Sequence, residues 1–160
     1  DFYPTPYNAV LPLISHLPEA FTFVEPCAGD GRLIEHLVEH GGICNHASDI
    51  EPQSDEIMQM DCFGVHAKAE YIITNPPWNR KILHPMIEHF APIAPTWFLF
   101  DADWMHTKQS KNYLTMLKKV VSIGRVKWIE GSKSVGKDNC CWYLFHDTEQ
   151  VKPIEFWGRT

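Results

Sequence analysis

Apolar and polar positions along this chain follow two periods in alternation. Segments at 21–24, 43–48, 57–60, 71–74, 97–100, 126–129 and 139–145 are short, rich in β-branched or aromatic residues and bounded by Gly, Pro, Asp or Asn, which is strand character. Residues 7–16, 32–40, 81–90 and 108–119 instead place apolar side chains three and four apart, the spacing that collects them on one helix face. Strands alternating with helices predict a parallel sheet with crossover helices on both of its faces. Between 126–129 and 139–145 lies only a loop of Gly, Ser, Lys and Val, too short for a crossover helix, so these two segments must form a hairpin. The expectation is an α/β fold with a mostly parallel seven-stranded sheet ending in an antiparallel C-terminal β-hairpin.

Length and composition narrow this picture. The 160 residues suit one domain with a real core and no separate target-recognition domain, and 44% hydrophobic with 21% charged residues is ordinary for a globular protein. No apolar run approaches the roughly 20 residues that span a bilayer, and no basic-then-apolar leader opens the chain, so a cytoplasmic protein with no membrane partner is expected. The five cysteines (Cys27, Cys44, Cys62, Cys140, Cys141) form no Cys-x-x-Cys and are expected as reduced thiols, without a disulfide framework or zinc. The pair His36 and His40 in His-x-x-Glu-His matches a zinc-protease pattern, but it falls on the polar face of a helix in a chain of nine histidines; no metal is expected.

Charge at first argues against a polyanionic partner, since the net value is −6. Its distribution reverses that argument. Residues 101–137 hold eight Lys or Arg against three acids, while the rest of the chain holds six against seventeen. A basic edge of this kind suits nucleic acid, with Lys108, Lys111, Lys133 and Lys137 as the candidate phosphate contacts.

Two turns carry the chemistry. After the first strand comes Glu25-Pro26-Cys27-Ala28-Gly29-Asp30-Gly31 and then a helix, a strand–glycine–helix arrangement in which backbone passes close to a ligand. A dinucleotide fingerprint wants a further glycine at position 34, where this chain has Ile34, so that class is set aside. The second strand ends in Asp49, 20 residues past Gly29, the place from which a carboxylate reaches a ribose hydroxyl pair in doubly wound folds; Ile50 follows it. The fourth strand stops at Asn75-Pro76-Pro77-Trp78, because proline cannot donate to a sheet ladder. That corner offers stiff acceptors beside an indole face, which suits a flat ring bearing an NH2.

Asn-Pro-Pro-Trp at a strand end, preceded by Glu-x-x-x-Gly-x-Gly, resembles the class I S-adenosylmethionine-dependent methyltransferases, in particular those acting on the exocyclic amine of adenine in DNA. The resemblance covers nearly the whole chain and implies a Rossmann-like fold. It implies a catalytic set of Asn75, Pro76, Pro77 and Trp78. It also implies a cofactor set of Tyr3, Pro4 and Thr5 on the proline-rich arm, Glu25, Pro26, Ala28, Gly29 and Gly31 at the glycine turn, Asp49 and Ile50, Asp61 and Cys62, and Asn75 again. The cofactor would be S-adenosylmethionine, leaving S-adenosylhomocysteine. Cys62 stands where such enzymes commonly have Phe, and no recognition region follows the last strand, so target specificity is left open. RNA as substrate, methylation of a protein glutamine amide, and a silent nucleic-acid-binding subunit are the alternatives; the oligomeric state is open.

Overall fold

A computed structural model describes residues 2–149 and 152–160; Asp1, the tip of the proline-rich arm, lies outside them. The elements are α1 (Tyr7–Ile14), β1 (Phe21–Glu25), α2 (Arg32–Glu39), β2 (Gly42–Asp49), β3 (Met58–Gln59), β4 (Tyr71–Thr74), α3 (Arg80–Phe90), β5 (Thr96–Asp101), β6 (Leu117–Arg125), β7 (Asn139–Phe145) and β8 (Glu155–Trp157). They form one sheet of order β3-β2-β1-β4-β5-β7-β6-β8. β7 runs antiparallel to β5 and to β6, and the other pairings are parallel. The chain moves outward from β1 to β3, then returns to the other side of β1 as β4, so the strand order reverses between β1 and β4.

Helices cover both faces. Leu83, Met86, Ile87 and Phe90 of α3 pack with Val24, Ile72, Phe98 and Phe100 on one side. Val10 and Leu13 of α1 with Leu33 and Leu37 of α2 pack against Phe23, Ile73, Trp97 and Leu99 on the other. Alternation along β5 sends Trp97 and Leu99 to one core and Phe98 and Phe100 to the other. A strand buried on both sides shows no polar alternation, which is why 97–100 reads as an unbroken apolar run.

Three expectations are corrected. Residues 108–119 are not an α-helix: the connection after β5 is made by 3-10 turns at Ala102–His106 and Gln109–Asn112, and β6 begins at Leu117. Leu114, Leu117 and Val121 mimic helical spacing, but Val120 and Val121 are β-branched and pair along β7. Residues 126–129 are accordingly loop rather than strand. The hairpin itself is present, formed by β6 and β7 with residues 126–138 between them. The sheet has eight strands rather than seven, because β8 adds in parallel to β6.

His36 and His40 pack on Tyr7, whose hydroxyl hydrogen-bonds His40 Nε2 at 2.9 Å. The five cysteines are free thiols. Among the described residues no helix is long and apolar enough to cross a membrane.

One buried hydrogen bond fastens α1 to β7: Trp142 Nε1 donates to the Ala9 carbonyl at 2.7 Å. Trp142→Phe removes that bond and opens a small void. It should cost ~2–3 kcal/mol, read as a lower denaturation midpoint with unchanged denaturant slope.

Candidate active site

β1 and β4 are hydrogen-bonded neighbours in parallel register, with Phe23 opposite Tyr71 and Val24 opposite Ile72. Their carboxyl ends therefore open at one sheet edge, where a cleft of about 950 Å³ lies. It is lined by arm residues Tyr3, Pro4 and Thr5, by Glu25, Ala28 and Gly29 after β1, by Asp49 and Ile50 after β2, and by Asn75 to Trp78 after β4. The glycine turn and the proline corner thus share one space.

The glycine turn is tight and braced. Gly29 and Gly31 have φ of 56° and 86°, a region that disfavours side chains, and the Gly31 amide donates to the Ala28 carbonyl at 2.8 Å. A Cβ on Gly29 would come within 2.3 Å of the Phe2 ring, which lies over it. Asp49 holds this turn: Oδ2 accepts from the Gly29 amide at 2.9 Å, while Oδ1 accepts from the Glu51 amide at 2.8 Å. Each oxygen keeps acceptor capacity beyond that bond. Ile50 beside it is 63% exposed, an apolar cover at the cleft mouth. Pro26 and Gly31 are buried behind the lining, shaping the turn rather than meeting the space.

The proline corner is fixed from three sides. The Asn75 amide nitrogen donates to the Tyr3 carbonyl at 3.4 Å and to Thr5 Oγ1 at 3.2 Å, and its oxygen has no donor among the described residues. Pro76 is buried and Pro77 exposed. Trp78 Nε1 donates to the Leu99 carbonyl at 3.1 Å, and the Trp78 carbonyl accepts from Arg80 at 3.1 Å. Arg80 is itself ion-paired with Asp101 at the end of β5.

The sequence pattern missed three of these participants. Phe2 and Arg80 carry no spacing signal. Trp128 was assigned to a strand at 126–129, yet it stands in the loop with its ring 5.9 Å from that of Trp78 at 76°, and 6.2 Å from that of Tyr3. Three aromatic rings therefore border the cleft. The signal available for Trp128 was its place at the entry to a Gly- and Ser-containing loop.

Other expected residues lie apart. Asp61 does not line the cleft; it caps the 3-10 turn Cys62–Gly64 by accepting from the Phe63 amide at 2.9 Å. Cys62 is outside the lining as well, and faces the thiol of Cys27, which does line it. Of the four lysines, Lys137 lines the cleft and Lys133 is exposed on the same loop, whereas Lys108 and Lys111 are exposed at the separate 3-10 turn Gln109–Asn112. The set splits in two.

Glu25 is the electrostatic oddity. Its side chain is buried at the end of β1, and burial pushes its carboxyl up to about 8; Thr74 and the Cys27 amide, which donates to it at 3.1 Å, offset part of this, and the Asp49 charge reinforces it. A carboxyl held protonated in an apolar wall is poised to ionise when a cation arrives.

No protein-family model and no curated sequence matches the chain. Solved structures do, at the level of fold. PH1948 from Pyrococcus horikoshii, a proposed RNA methyltransferase, shares 14% identity over 92% of this chain and 88% of its own, with a TM-score of 0.68. A dimethyladenosine transferase from Plasmodium falciparum shares 14% over 92% of this chain and 64% of its own, TM-score 0.59. The M protein of the type I restriction enzyme EcoKI shares 12% over 98% of this chain and 48% of its own, TM-score 0.62. The chain thus spans less than two thirds of the latter two. The fold is the Rossmann-like one of class I methyltransferases, as the motifs implied.

Glu25 makes stability depend on pH. Its folded value lies above the unfolded value of 4.5, so the native chain holds a proton the unfolded chain releases; the associated stability is complete below pH 4.5 and is lost as pH rises through about 8. Glu25→Gln removes this dependence. Its melting temperature relative to the native chain should rise by about 5 °C or more between pH 5 and pH 8, checked by thermal unfolding across that range.

Proposed function

We propose that this chain transfers a methyl group from S-adenosylmethionine to the exocyclic amine of adenine in a nucleic acid, DNA being the first substrate class and RNA the second. What carries the reading is the Asn75 oxygen: it is the unpaired acceptor of a rigid corner, and it borders the same cleft as the glycine turn. The motif resemblance supports the reading, and so does the likeness of fold to a dimethyladenosine transferase and to a restriction-enzyme M protein. RNA is favoured in turn by the likeness to PH1948.

The residues fit the cofactor on three counts. Gly29 keeps clear, by its missing Cβ, space that the Phe2 ring borders, and Glu25 offers a buried carboxyl to a cationic amine. Asp49 has lone pairs left for a ribose hydroxyl pair. The bound cofactor supplies an electrophilic methyl group on a sulfonium sulfur.

The amine of adenine is a weak nucleophile because its lone pair is delocalised into the ring. Asn75 Oδ1 and the Pro76 carbonyl, each accepting one N–H, draw that nitrogen toward a tetrahedral shape and free the lone pair. With the cofactor bound, a C–N bond would form as the C–S bond breaks, the sulfur would leave as the neutral thioether, and one amine proton would pass to water. No strong base is required before attack, so the protein's share of the work is alignment. A base within a duplex must first be turned out, at a cost of a few kcal/mol. Stacking on Trp78, worth about 1–3 kcal/mol, offsets part of that cost, and Trp128 closes the space from a second side. Lys133 and Lys137 sit on the same loop, where phosphates flanking a turned-out base would pass.

Radiolabelled S-adenosylmethionine, offered with DNA, RNA or protein in parallel, tests this reading, followed by identification of the methylated atom. Label on adenine N6 is expected in DNA; label on RNA alone would support the second substrate class. Label on a protein glutamine amide, or none, overturns the reading. Asn75→Ala should lower kcat about 100-fold or more, with cofactor Kd changed by less than about threefold; equal losses in both would make Asn75 mere scaffold.

A further inference from the structure

We infer that Thr5 is a positioning residue for the transfer step, acting through Asn75: the Tyr3 carbonyl sets which end of the Asn75 amide faces the cleft, and the Thr5 hydroxyl holds the amide in that place. The inference rests on the function proposed above and gives Thr5 a role different from the cofactor contact that its motif implied.

The two ends of an asparagine amide are nearly identical in shape and opposite in hydrogen bonding. Only Oδ1 can accept an N–H from the substrate amine. With the amide turned over, two donors would face each other and the corner would repel its substrate. A working corner must therefore exclude the flipped state.

The arm supplies that exclusion. Nδ2 of Asn75 donates to the Tyr3 carbonyl at 3.4 Å and to Thr5 Oγ1 at 3.2 Å. A backbone carbonyl has no proton to give, so a flipped amide would set Oδ1 against another acceptor. Thr5 is 4% exposed, so water does not replace its hydroxyl freely. The backbone that carries both oxygens is restricted as well. Tyr3 precedes Pro4 and Thr5 precedes Pro6, and a residue before proline is confined to extended backbone.

The arm is anchored at each end. Pro6 leads straight into α1, with the Ala9 amide donating to its carbonyl at 3.0 Å. At the other end the Phe2 ring lies over Gly29, while the Tyr3 ring stands beside Trp128. Thr5 sits between these anchors, so its hydroxyl is held against the Asn75 amide rather than free to choose another partner.

The test compares native protein with Thr5→Val, which keeps the shape and removes the hydroxyl, and Thr5→Ser, which restores it. Methyl transfer to adenine-containing nucleic acid gives kcat and KM, calorimetry gives the Kd for S-adenosylmethionine, and the Asn75 side-chain amide signal is followed by NMR, assigned by its absence in Asn75→Asp. Thr5→Val should lower kcat about tenfold, the worth of one well-placed hydrogen bond, with cofactor Kd and KM within about twofold and with a shifted Asn75 amide signal. Thr5→Ser should recover both the rate and the signal. A Kd loss matching the kcat loss, or an Asn75 signal unmoved in Thr5→Val, overturns the inference. Absence of methyl transfer by the native protein would instead overturn the proposed function, and the amide signal would still separate the two failures.

Discussion

The arrangement of the cleft depends on two parallel strands ending side by side. β1 and β4 share backbone hydrogen bonds, and the strand order reverses between them, so the connections leaving their carboxyl ends go to opposite faces of the sheet: α2 to one, α3 to the other. Divergent connections leave a crevice above the sheet at that point. The glycine turn occupies one wall and the proline corner the other because each directly follows its strand. Had the chain placed β4 elsewhere in the sheet, the same two motifs would face different spaces.

Rigidity at the corner comes from bonds that do not face the cleft. The Trp78 ring is held by Leu99 through its indole nitrogen, and its carbonyl by Arg80, which is in turn paired with Asp101. Asp101 also accepts from the Trp104 amide at 2.9 Å, and the Tyr143 hydroxyl donates to the Asp101 carbonyl at 2.8 Å. This network ties the corner to the ends of β5 and β7. Groups that must meet a reacting atom within a few tenths of an ångström need this kind of support, since a loop on its own would sample many orientations.

The opposite wall works by a different principle. Glu25 has no cationic partner among the described residues, and burial disfavours its ionised form. The fold thus carries a cost that a cationic ligand would relieve, while Asp49 spends part of its hydrogen-bonding capacity on keeping the adjacent turn in shape. The hairpin loop completes the enclosure with Trp128 and Lys137, placing an aromatic ring and a cation at the same rim of a chain whose net charge is −6.

Much of this was legible in the residue order because it is local. Gly29 and Gly31 announce a turn by the φ values they permit, Pro76 and Pro77 end a strand by the donor they lack, and 97–100 declares a doubly covered strand by its unbroken apolar run. What misled was also local: Leu114, Leu117 and Val121 imitate a helix, and only pairing with β7 makes that stretch a strand. Sequence alone determined the fold class, the two motifs and the residue types at the cleft, since backbone permissions and periodicity are properties of neighbouring residues. The tertiary structure decided which groups meet. That Thr5 and the Tyr3 carbonyl orient an amide 70 or more residues away, that Trp128 faces Trp78, and that Asp61 and two of the four lysines stand apart from the cleft follow from strand order and packing, which no short stretch of chain encodes.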